Sequence, residues 1–272
     1  MNQKLLIRII TALVLLAIVI PVISFGGIAV EILGCIIGVL CVKELLNMAK
    51  KPVLSIEGIL SSIAVIAMIW PFWQNFGPLA TLTGASVFYF ALLGIFAFTV
   101  VASDEFNVIH AGFLTLIVYY VGTGLSAMVA SRAEYPIIIV FGIVVAVATD
   151  TGAFFAGSIL GKTFPAKMAP KISPNKTIVG AIGGIILALV VVLIMNIFIQ
   201  PVYAFNRDLI QLIIYVVILS FVGQFGDLFE SGMKRYFKVK DSSNLLPGHG
   251  GVLDRMDSLL FIFPLMHIFN LF

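Results

Sequence analysis

The feature that most constrains this chain is a recurrence of apolar runs, each about 18 residues or longer and so able to carry a helix across a hydrocarbon core of about 30 Å. Nine such segments are read, at 7–25, 28–46, 56–73, 79–102, 108–131, 136–160, 177–199, 209–229 and 253–272. Inside a bilayer the backbone must satisfy its own hydrogen bonds, which leaves only helices or a closed barrel. No alternating ten-residue pattern of a barrel occurs. The expected fold class is therefore all-α, a polytopic membrane helix bundle of about nine transmembrane helices. Composition agrees, with 61% hydrophobic and 11% charged residues, against about 45–50% and about 25% in soluble domains. The chain divides into 1–135, with helices one to five, and 136–272, with helices six to nine and their loops, in one membrane domain.

Charge orients the segments. If all nine cross, fourteen of the sixteen Lys and Arg residues fall at the N-terminus or in the loops after the second, fourth, sixth and eighth segments; Arg132 and Arg207 fall opposite. Basic loops stay in the cytoplasm, which places the N-terminus and those loops on the cytoplasmic face of the inner (cell) membrane. Lys4 and Arg8 precede the first run as in a signal peptide. No small-residue cleavage site follows Ile20, and the run continues through Pro21 to Phe25, so an uncleaved helix is expected. Cys35 and Cys41 point to different sides of one helix and cannot bridge each other. Gly34 with Gly38, and Gly122 with Gly124, offer small surfaces for helix packing. Trp70 and Trp73 suit an interfacial aromatic belt.

Polar chemistry begins in the sixth segment. Asp150 lies about 21 Å along the helix from Pro136, and an intramembrane carboxylate is costly enough to be a functional candidate. A buried structural acid, with close helix approach at Thr151, Gly152 and Gly157, is an equally open reading. The following loop, GKTFPAKMAPKISPNKT, holds four lysines, and its end at 175–177 offers a cap for the seventh helix, where Gly180 and Gly184 permit close packing.

The densest chemistry lies at 227–257, DLFESGMKRYFKVKDSSNLLPGHGGVLDRMD. On a continuing helix Asp227, Glu230, Ser231 and Lys234 share one face. Asp254 and Asp257 repeat the three-residue spacing where the next apolar segment starts. Carboxylates suit hard cations, and a Gly-rich basic loop suits polyphosphate. A solvated loop whose lysines face anionic lipid is the plainer alternative.

Ser231, Lys234 and Arg235, Lys240 and Asp241, then Pro247, Gly248, His249, Gly250 and Gly251, then Asp254, Arg255 and Asp257 stand at the spacings of a known signature. In that order and spacing the chain resembles the phosphatidate cytidylyltransferases, or CDP-diacylglycerol synthases. TDTGA, then PK-x-SPNKT and a glycine-rich helix start, is similar to a second block of that family, except that Val179 stands where relatives usually have glutamate. The resemblance implies a nucleotidyltransferase of phospholipid biosynthesis. CTP and phosphatidate would be its substrates, giving CDP-diacylglycerol and pyrophosphate at the membrane without nucleic acid. It implies magnesium held by Asp227, Asp254 and Asp257, with a second, monovalent cation left open and Glu230 and Asp150 as weaker ligand candidates. Lys234, Arg235, Lys240 and Arg255 would contact phosphates, Gly248, Gly250 and Gly251 would let backbone approach them, and Ser173, Lys176 and Ser231 would lie on the substrate rim. His249 either donates to phosphate or holds the turn. A homodimer is expected. The competing readings are another CTP-dependent lipid enzyme such as a polyprenol or phytol kinase, and a cation-coupled transporter, against which stands the lack of an internal repeat.

Overall fold

Long runs of Leu, Ile, Val and Ala with few breakers, in a medium that offers the backbone no partner, become helix. The computed structural model describes residues 3–75, 77–102, 106–134, 136–198 and 208–271. Arg207 and the side chains of Lys4 and Trp73 lie outside that description. Among the described residues ten α-helices follow in order: α1 Gln3–Phe25, α2 Ile28–Met48, α3 Ile56–Ile69, α4 Gly84–Val101, α5 Val108–Glu134, α6 Pro136–Leu160, α7 Ile178–Phe198, α8 Leu209–Tyr236, α9 Leu253–Met256 and α10 Leu259–Ile268. Every apolar segment read from the sequence contains a helix, and the chain is an integral membrane protein.

Among the described residues six of these helices, α1, α4, α5, α6, α7 and α8, are long and apolar enough to cross a membrane, beside the nine segments read as crossings. The third segment yields a helix of 14 residues, about 21 Å long. It ends at Trp70, held extended at φ −112° and ψ 101°, because the residue before Pro71 is driven out of the helical region. The last segment breaks into α9 and the ten-residue α10. At 21 residues α2 is long enough, yet it carries Glu31, Lys43 and Glu44. The fold is mostly helical, with one addition to the expected all-α bundle: Lys167–Ala169 (β1) and Ser173–Thr177 (β2) form a two-stranded antiparallel hairpin between α6 and α7, pairing Lys167 with Thr177 and Ala169 with Ser173.

The chain forms two compact units. One comprises Met1–Val129 with Ser242–Leu253. Its core includes Val42, Leu45, Leu46, Val65, Ile117, Val118 and Val121. Gly34 and Gly38 are where α2 meets its neighbours: an added Cβ would stand 2.7 Å from Val129 and 2.8 Å from Val65. The expected packing role of that pair holds. Both cysteines are free thiols. Helix α2 ends in a left-handed residue, Lys50, at φ 58°, with Lys51 N–H reaching back to the Leu46 carbonyl.

The second unit comprises Ala130–Asp241 with Asp254–Phe272. Helices α6 and α7 touch backbone to backbone: a Cβ on Gly152 would lie 2.6 Å from the Gly183 carbonyl, and one on Gly184 2.6 Å from the Thr149 carbonyl. Thr177, the last residue of β2, accepts from Gly180 N–H at 3.1 Å and so caps α7 as the sequence suggests. Helix α8 is joined to α6 by a buried hydrogen bond from Thr149 Oγ1 to Ser220 Oγ at 2.8 Å. The apolar end of α10 packs Phe263 against Gly142 of α6, and Ile262 against Gly223 of α8.

Candidate active site

Three stretches of the second unit bring their polar residues together, and each does so for a local reason. Helix α8 runs past its apolar section without a breaker, so the Asp227, Glu230, Ser231 and Lys234 face forms as the periodicity predicts. The tight β1–β2 turn brings Lys176 beside α6 and α8, and the break between α9 and α10 presents Asp257. Lys176 forms an ion pair with Asp227. Lys234 pairs with Glu230 one turn earlier and with Asp254 at 2.7 Å. Ser231 Oγ donates to Asp227 Oδ1 at 3.3 Å. Charge at helix ends is thus neutralised in pairs, which is the condition for burying it at all.

A cavity of about 500 Å³ lies against this cluster. Asp150, Lys176, Gln224 and Asp227 supply its polar groups, while Phe154, Met168, Ala153 and Ala181 supply apolar wall. Its size suits a small-molecule site. Asp150 is exposed on this cavity rather than buried among hydrophobic neighbours, which favours the functional of its two readings.

Asp257 lies in the break between α9 and α10, outside the long spanning helices. Burial, and then the Asp227 carboxylate, push its carboxyl up to about 8; Asp150 adds to the rise, while the Ser258 N–H and Lys234 oppose it. Three acids thus feel one another's charge. Among the described residues no three His, Cys, Asp or Glu side chains stand close enough, as placed, to enclose a metal ion. The donor set is nevertheless of the kind a hard divalent cation takes, namely carboxylate oxygens. Asp254 is held by Lys234.

Other expected residues fall as follows. Arg235 donates to the backbone carbonyls of Ile172 and Val239, each at 3.2 Å, and so braces the hairpin and the end of α8. Lys240 and Arg255 are exposed, and Ser173 is half-buried at the start of β2. The Pro-Gly-His-Gly-Gly turn belongs to the first unit. It closes with hydrogen bonds from Leu246 N–H to Gly250 O and from His249 N–H to Leu246 O, both 2.8 Å, with Gly248 and Gly250 at φ 76° and 83°. Those two positions favour glycine on conformational grounds. From α1, Arg8 Nε donates to Gly248 O at 3.1 Å and Thr11 Oγ1 to Pro247 O at 3.0 Å.

Sequence reasoning passed over Glu44 entirely. It is 2% exposed and accepts four hydrogen bonds from the segment that carries this turn. The available signal was an acid beside Lys43 near the end of an apolar helix.

A helical membrane protein that gathers carboxylates and lysines at the ends of its helices, beside a part-polar cavity, is built for anionic substrates at a bilayer surface. The chain belongs to the Cytidylyltransferase family, whose model matches residues 6–272. Among curated relatives it is similar to the phosphatidate cytidylyltransferase of Staphylococcus saprophyticus, 40% identical over 266 residues that cover 96% of this chain and 97% of the relative. It is 39% identical to the phosphatidate cytidylyltransferase of Staphylococcus haemolyticus over 266 residues, and 38% to that of Staphylococcus epidermidis over 265, with the same coverage.

Proposed function

We infer that this protein is a phosphatidate cytidylyltransferase, a nucleotidyltransferase that joins CTP and phosphatidate into CDP-diacylglycerol and pyrophosphate. The observation that carries the reading is the convergence of Asp227, Asp257, Lys176 and Lys234 from separate stretches on one site beside a cavity, in a chain similar along its length to enzymes of that name.

The phosphate oxygen of the lipid attacks the α-phosphorus of CTP, and the bond to the β-phosphate oxygen breaks to release pyrophosphate. A phosphate monoester, with a second pKa of about 6, is already anionic at neutral pH, so no strong general base is needed. What remains is positioning and neutralisation of charge. Asp227, Asp254 and Asp257 would hold magnesium, with Asp150 in the same field of charge; when bound, the ion supplies neutralisation of the phosphate oxygens. Lys176 and Lys234 are paired to these acids and would exchange them for phosphate oxygens. Arg255 contributes a fixed pair of donors to phosphate. The family resemblance gives Gly248, Gly250 and Gly251 the role of letting backbone approach phosphate.

In this reading the site faces the cytoplasm, from which CTP comes. Two basic loops support that side. They flank α7 and α8, both long enough to span, so the chain crosses and returns between them and both loops share one face. The homodimer expectation rests on the family resemblance and on the small-residue helix faces.

The test is incubation of purified protein with labelled CTP and phosphatidate, with a prenol in parallel. Labelled CDP-diacylglycerol and equimolar pyrophosphate are expected. Phosphorylation of the prenol, with CDP released, would overturn the assignment in favour of a CTP-dependent lipid kinase.

A further inference from the structure

Within the first unit, one side chain grips both ends of the segment that carries the glycine turn. Glu44, in the last turns of α2, receives Ser242 Oγ at 3.0 Å and Leu253 N–H at 2.8 Å on Oε2, and Ser243 Oγ at 2.6 Å and Val252 N–H at 2.9 Å on Oε1. Each oxygen thus takes one hydroxyl from the entry of the loop and one amide from its exit. The eight residues between, 244–251, are closed into a loop whose mouth is a single carboxylate. Gly251 is glycine for the same reason, since an added Cβ would strike Ser242 Oγ and stand 2.6 Å from Glu44 Oε2. At 2% exposure Glu44 has no solvent to fall back on.

We propose that Glu44 is the positioning residue of the 247–251 turn, holding its backbone in the conformation that receives the triphosphate of CTP. This rests on the reading that the turn faces CTP. Backbone donors stabilise an anion well only when they need not reorganise on binding, and pinning both ends of the loop removes most of that freedom beforehand. Glutamate suits the task better than its neighbours in chemical space. Glutamine would aim an N–H₂ at two donors, and aspartate is one methylene too short to meet entry and exit together. The neighbouring contacts from Arg8 and Thr11 steady the tip of the turn, and Glu44 steadies its base.

The experiment is steady-state kinetics on the full-length protein in detergent, varying CTP and phosphatidate separately, with thermal melting alongside. Glu44→Gln is expected to raise KM for CTP about tenfold or more, the size of one or two lost buried hydrogen bonds, with KM for phosphatidate essentially unchanged. Ser243→Ala removes one of the four donors and is expected to shift KM for CTP the same way by a few-fold. If Glu44→Gln leaves KM for CTP at the wild-type value, or moves both KM values together with a lower melting temperature, Glu44 only holds the fold and the proposal fails. Should Glu44→Gln not fold, Ser243→Ala decides alone: a CTP-specific rise upholds the proposal and no change overturns it. Gly250→Ala, which strains the turn at its positive φ, separates the two levels of inference. A rise in KM for CTP there but not in Glu44→Gln sinks only the clamp. No rise in either sinks the placement of the turn on CTP.

Discussion

Two regions of this protein bury carboxylates, and they satisfy them in opposite ways. Glu44 is met by two hydroxyls and two amides, neutral donors fixed by the backbone around them. Asp227, Glu230 and Asp254 are met by Lys176 and Lys234, at the ends of flexible side chains, and burial, then the Asp227 carboxylate, drives the Asp257 carboxyl up. The first arrangement is saturated and has nothing to exchange. The second is held by ion pairs, and in the proposed reading each lysine would leave its acid for a phosphate and each acid would turn to a cation. Saturated acids hold a shape, whereas acids paired to mobile cations are suited to chemistry with charged substrates.

The largest expected effect tests the second half of that contrast. Asp227→Asn and Asp257→Asn should each lower turnover about 10²–10³-fold while melting in detergent as wild type does, and excess chelator should abolish activity that magnesium restores. Full turnover in chelator would make these acids no different in kind from Glu44. Next in size, Arg255→Lys keeps the charge but loses the paired donors, and turnover should fall about tenfold. Added anionic lipid should not restore it; a wild-type rate would mean that the loop is an electrostatic anchor.

A third substitution leaves the chemistry alone and loads the scaffold beneath it. Gly184→Leu forces a side chain into the Thr149 carbonyl, 2.6 Å from where its Cβ would be, and should cost about 1–3 kcal/mol of stability, read as a lower melting temperature. An unchanged melting temperature would show that α6 and α7 are free to separate. The smallest effect concerns Lys238, which follows α8 at φ 59°, with Val239 N–H bonded back to the Lys234 carbonyl. Lys238→Gly relieves a left-handed residue and should raise stability by about 0.5–1 kcal/mol with turnover unchanged. A loss of activity there would add the segment at Lys238 to the phosphate site.

Much of this was readable before any coordinates. Helices lie over all nine apolar segments, because a bilayer leaves the backbone no other economy, and the packing glycines at 34, 38 and 184 appear where close spacing of small residues placed them. The shared face of Asp227, Glu230, Ser231 and Lys234 followed from helical periodicity alone, since those contacts are local. The length of the third and last segments was misread, because Trp70 before Pro71 and the break after Met256 stop helices that hydropathy averages over. The β1–β2 hairpin was missed for a related reason: its strands are three and five residues long and show no periodicity to detect.

What the sequence by itself determined is therefore whatever depends on near neighbours: membrane helices, their faces, the family signature and the chemical kind of the site. What only the tertiary structure decided is which donors meet which acid. Glu44 lies about two hundred residues from the serines and amides it holds, and Lys176 about fifty from Asp227. No local pattern encodes such pairings, because a carboxylate's role is set by the donors that reach it through space. In Glu44 those donors are fixed and neutral, and in Asp227 the partner is a mobile cation.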